Sequence, residues 1–141
     1  MLSDELQIYK DTFKLCKILM SYSKNVSRLV RYGEYGVAIS KACTALDLIR
    51  RINESFEQRE VYLHDYILLV SEVKSRITLF AEAEFLSVKA ATNLDYQVNK
   101  IAKEATGWLK AEKSRKARTV KPRATRESSH LSGKGCPLST V

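Results

Sequence analysis

Apolar residues recur at steps of three and four along four stretches of this chain, and that spacing limits what it can fold into. The first stretch carries Leu6, Tyr9, Phe13, Cys16 and Met20. The third carries Leu63, Tyr66, Val70, Val73, Ile77 and Phe80, and the fourth Ala91, Leu94, Val98, Ile101, Ala105 and Trp108. Steps of three and four bring side chains to one face of a helix, and each such face needs a partner to cover it. The second stretch, 28–52, is broader. One stripe runs Leu29, Tyr32, Gly36, Ile39, Cys43, Leu46, and another Tyr35, Ala38, Ala42, Ala45, Ile49, Ile52. Two stripes predict either contact on two sides, core plus oligomer interface, or one wide core face.

Local chemistry marks the joints. Asp4 with Gln7, and Ser55 with Gln58, have the spacing of capping boxes, and Ser87 is a candidate N-cap for the fourth helix. Ser21 to Ser27 forms the first connection and Asn53 to Gln58 the second, with the third helix spanning about 56–82. Gly33 and Gly36 weaken the start of the second helix by about 1 kcal/mol each relative to Ala, and either permit close helix approach there or place its true start later. Joints this short favour antiparallel neighbours. The expected fold is all-α, an antiparallel up-down-up-down four-helix bundle over 1–112 with a disordered basic C-terminal tail over 113–141.

Length and charge agree with that division. A chain of 141 residues fits one domain. No apolar run approaches the ~18 residues of a membrane span, so no membrane partner is expected. The N-terminus, acidic at Asp4 and Glu5, leads directly into the first helical pattern rather than reading as a signal peptide. Of the 24 Lys and Arg, eight lie from Lys113 onward beside one acid, Glu127, so seven of the eight net positive charges belong to 113–141. Both prolines lie there too, and its apolar residues show no period. That composition reads as an arm for nucleic acid, binding by release of phosphate counterions, or as a solvated tail.

The chain offers little for catalysis. Di-metal bundles use Glu with Glu-x-x-His on facing helices. Here His64 follows Glu60 by four residues, not three, and no second pair exists. His130 has only Cys136 near it, short of a zinc site. Cys16 and Cys43 fall in helical patterns as packing residues, and three widely spaced cysteines suit a reducing, cytoplasmic setting. No enzyme activity, metal or cofactor is expected. The candidate binding residues are basic. Lys10, Lys14 and Lys17 form one stripe on the first helix; Arg28 and Arg31 begin the second, and Arg50 and Arg51 end it. Lys74 and Arg76 lie in the third, and Lys113, Arg115, Lys116 and Arg118 open the tail. Asp11, Asp47 and Glu72 are interspersed, which also fits a solvated mixed-charge surface.

The opening Leu6-Gln7-Ile8-Tyr9-Lys10-Asp11-Thr12 resembles the start of the accessory variability determinant (Avd) proteins of diversity-generating retroelements. These bundles are related to those encoded by intervening sequences of 23S ribosomal RNA genes. Thr106-Gly107-Trp108 resembles that family's close of the fourth helix, and Ser87 the start of it. The resemblance spans about 5–112. It implies a non-catalytic homopentamer that binds a reverse transcriptase and nucleic acid, template RNA and cDNA, during mutagenic reverse transcription. It further implies that Lys10, and Lys74 or Arg76, contact RNA or polymerase; Tyr9 and Trp108, in heptad positions, read instead as core or interface anchors. Tyr22 to Val26 lacks the proline common in the family's first connection, and the tail exceeds the family's usual end. The alternative is a structural helical oligomer or protein-interaction module without nucleic-acid affinity.

Overall fold

The computed structural model describes residues 5–131, with side chains described as far as residue 118. It contains α1 (Gln7–Tyr22), a 3-10 turn (Ser23–Asn25), α2 (Arg28–Arg31), α3 (Glu34–Glu54), α4 (Arg59–Glu82) and α5 (Val88–Leu131). Four of these helices are long, there is no strand among the described residues, and the fold is an all-α bundle. The chain divides into two units, Met1–Leu109 with the bundle and Lys110–Val141.

Cross-helix bonds give the topology. Tyr35 donates its hydroxyl to the Leu19 carbonyl (2.6 Å), which sets the start of α3 beside the end of α1. Lys41 meets Glu72 at 3.0 Å and Glu34 meets Arg76 at 3.1 Å, so α3 and α4 run antiparallel. Asn93 donates to the Tyr22 hydroxyl (2.8 Å) and Gln97 to the Asp11 carbonyl (2.7 Å), so α1 and α5 do too. α1 and α4 therefore run the same way across the core, joined by a Thr12–Tyr66 hydroxyl contact of 2.6 Å.

Sequence periodicity and observed burial coincide in α4, where Leu63, Tyr66, Val70, Val73, Ile77 and Phe80 are the buried set. In α3 the second stripe, Tyr35 through Ile52, is buried, while Ile39, Cys43 and Leu46 are only half-covered on its shoulder. α5 buries Leu94, Val98, Ile101 and Ala105, with Ala91 and Trp108 half-buried beside them. Each fully covered Leu or Ile contributes about 1.5–3 kcal/mol.

The expected face of α1 is corrected. Ile8, Asp11, Thr12, Leu15, Cys16 and Leu19 are buried, whereas Phe13 and Met20 are each 48% exposed. The physical cause is polar residues on the core face. Asp11 and Thr12 disguise it in the sequence, but both are hydrogen-bonded inside, so their burial is tolerated.

Four boundaries also differ. The second expected helix breaks at Tyr32–Gly33 into α2 and α3, leaving Leu29 and Tyr32 exposed. At Gly33 a β-carbon would sit 3.2 Å from the Leu29 carbonyl, and at Gly36, in the first turn of α3, 3.1 Å from that of Arg31, so a side chain at either position would press on the backbone of α2. α4 starts at Arg59, and Ser55 Oγ accepts the Gln58 N–H at 3.4 Å just ahead of it. The start of α1 has no side-chain cap at Leu6, and Asp4 lies outside the described residues. Ser87 does cap α5, its Oγ accepting the Ala90 N–H at 3.1 Å. α5 continues past the expected end near Glu112, so the start of the basic tail is helical. Residues such as Lys113, Arg115, Lys116 and Ala117 are good helix formers, and sparse apolar content argues against burial rather than against local helix. Residues 132–141 lie outside the described residues.

Candidate nucleic-acid interface

The α1 lysines form the clearest basic feature of the bundle. Lys10, Lys14 and Lys17 are all exposed on one stripe of a regular helix. Among the described residues none of the three pairs with a carboxylate. They border the exposed Phe13 and Met20 of the same helix, and Phe13 stacks on the half-buried Tyr9 with ring centroids 6.4 Å apart. An unneutralised row one helical turn apart suits a phosphate backbone.

The other candidates of the bundle are dispersed or already engaged. Arg28 is exposed and lies over the Tyr32 ring at 5.8 Å. Arg31 is half-buried and donates to the Lys24 and Val26 carbonyls (3.4 and 3.1 Å), tying down the connection after α1. Arg50 and Arg51 are exposed at the far end of α3. Lys74 and Arg76 diverge across α4. Lys74 donates to Asn99 on α5 at 2.6 Å, and Arg76 is held by Glu34 on α3 and by the Glu72 carbonyl at 3.2 Å. Arg76 serves first as a bundle strut, and the pair makes no common patch.

In the second unit, Lys113 and Arg118 are exposed and Arg115 and Lys116 half-buried. Arg115 is gripped by both oxygens of the buried Glu112 side chain. Lys110 precedes them on the same helix, so a helical segment presents a dense run of cations. Arginine also supports packing in the bundle: Arg59 bonds the Ile52 and Asn53 carbonyls (2.7 and 3.0 Å) and lies over Phe56 and Trp108.

Buried polar chemistry lies on the inner face of α1. Burial pushes the Cys16 thiol up to about 12, helped by the neighbouring Cys43 thiol, so it is an unreactive packing group near neutrality. Burial likewise raises the Tyr66 and Tyr35 phenols, which stay neutral and act as hydrogen-bonding core residues. Asp11 corrects the surface reading of its charge: it is 5% exposed and makes an ion pair with Lys100 at 3.3 Å. Periodicity offered one signal for this, since Asp11 falls three residues after Ile8 and four before Leu15. Gln97, between Leu94 and Ile101, and Glu104, between Ile101 and Trp108, have the same spacing, whereas Lys100 has no such signal.

Among the described residues no three or more His, Cys, Asp or Glu converge where they could hold a metal ion. His64 is exposed. Nor is any helix among them long and apolar enough to cross a membrane. No protein-family model matches the chain, and no curated protein matches it.

Proposed function

We propose that this chain is a non-catalytic accessory subunit of a diversity-generating retroelement reverse transcriptase. It works in the cytoplasm as a homo-oligomer, a pentamer by resemblance, holding template RNA or cDNA beside the polymerase. The observation that carries the reading is the row of unpaired lysines, Lys10, Lys14 and Lys17, on exposed α1. Lys10 lies inside the stretch that resembles the family. The cationic start of the tail, helical from Lys113 through Arg118, adds a second sequence-independent contact for phosphates.

RNA affinity as a function of salt tests this. Reversing the row with Lys10→Glu, Lys14→Glu and Lys17→Glu is expected to weaken binding and to flatten the log–log salt slope by about 2–3, the loss of three phosphate contacts. An unchanged slope refutes a role for the row. Affinity that disappears only on deleting 113–141 would assign binding to the tail.

A second reading, an interaction module without RNA affinity, is favoured by Phe13 and Met20, each 48% exposed on α1. Light scattering separates the two. A solution mass that drops on Phe13→Ser, in a protein indifferent to RNA, supports the module.

A further inference from the structure

Two carboxyl side chains meet where α1 packs on α5. Asp11 Oδ1 accepts from Gln7 at 3.1 Å and from Lys100 at 3.3 Å. Asp11 Oδ2 is buried without a donor from any other described side chain, and so is Oε1 of Glu104. Two ionised carboxylates in contact would repel, with a single ammonium, 42% exposed, to offset them. One proton removes both difficulties, because an O–H···O bond between the two groups satisfies each orphaned oxygen.

We propose that Asp11 and Glu104 share one proton and act as a pH-sensitive clamp between α1 and α5 that loosens when the proton leaves. The proton resides on Glu104. Burial, then its bond to Asp11 and that group's charge, push the Glu104 carboxyl up to about 7. At Asp11 burial acts in the opposite sense, but bonds from Glu104, Lys100 and Gln7 outweigh it and hold the carboxyl below its ordinary value.

Polar and titratable groups from three helices face the pair. On α1 these are Gln7, Thr12 and Cys16, and on α4 Tyr66, whose phenol burial raises. On α5 they are Gln97, Lys100 and, beside Lys100, Tyr96. The Cys16 thiol titrates only near about 12, and bonding to Asp11 raises Lys100. Folded protein thus keeps a proton that the unfolded chain releases between the ordinary 4.5 of glutamate and about 7. Stability from this group is complete below that interval and falls as pH rises through it. Loss of the proton leaves α1, which bears Lys10, Lys14 and Lys17, less firmly held to α5.

Carboxyl carbon NMR titration of the full chain, with thermal unfolding of it and of Glu104→Gln, tests the clamp. One carboxyl is expected to titrate near about pH 7 and to vanish in the variant, whose amide still donates to Asp11. The wild-type Tm is expected to fall between about pH 5 and about pH 8, and the variant's to fall by less than half as much. Carboxyl midpoints all below about 5, or an unchanged pH dependence in the variant, overturn the proposal. Should Glu104→Gln not fold, the wild-type titration decides alone.

Discussion

α4 and α1 contribute faces of similar size to one core, yet they are built on different rules. The α4 face is Leu63, Tyr66, Val70, Val73, Ile77 and Phe80, with a single hydroxyl to satisfy. The α1 face mixes Ile8, Leu15 and Leu19 with Asp11 and Thr12, while the heptad set Phe13 and Met20 stays outside. An apolar face needs only shape and area, so any good partner surface will do. A mixed face needs particular partners, here Tyr66, Gln97, Lys100 and Glu104, and therefore fixes which helices meet. α4 supplies bulk burial; α1 supplies specificity.

That contrast yields a graded set of expectations in chemical denaturation. The largest belongs to the apolar face: Leu63→Ala, at a site with no exposure, is expected to cost about 2–5 kcal/mol. A loss under about 1 kcal/mol would mean that the α4 face is not close-packed. Next comes the mixed face. Thr12→Val keeps the volume but leaves the Tyr66 hydroxyl without its 2.6 Å partner, for an expected loss of about 1–3 kcal/mol. A Tyr66→Phe change added to it should then recover part of that loss, and failure to recover would break the account of the hydroxyl pair.

The helix starts give a smaller difference. Ser87→Ala removes the cap of α5 and is expected to cost about 1 kcal/mol. Smallest of all is the outer stripe of α1. Phe13→Ala is expected to change stability by less than about 0.5 kcal/mol, since the ring is 48% exposed. A loss approaching that of Leu63→Ala would show that another chain covers this face, and would sharpen the oligomer part of the proposed function.

The candidate interface divides in the same way. Lys10, Lys14 and Lys17 were legible because steps of four and three on a helix keep exposed cations together whatever the rest of the chain does. Lys74 and Arg76, neighbours in sequence, separate because two residues along a helix turn their side chains far apart. Their partners, Asn99 and Glu34, come from opposite flanking helices. The Asp11–Glu104 pair was illegible since it joins residues at opposite ends of the bundle's sequence, and nothing local to either marks the other.

Four long helices, the buried faces of α4 and α5, and the cap at Ser87 are written in the amino-acid sequence, which for α3 narrows the buried face to two stripes. All follow from short-range periodicity and hydrogen bonding, which act within a few residues of the chain. The face that α1 turns inward, the stripe that α3 buries, the break at Gly33 and the partner of each buried polar group come from the folded molecule alone. Those depend on atoms supplied by distant segments, since a buried Asp or Thr is tolerable only where a folded neighbour brings its hydrogen-bonding complement.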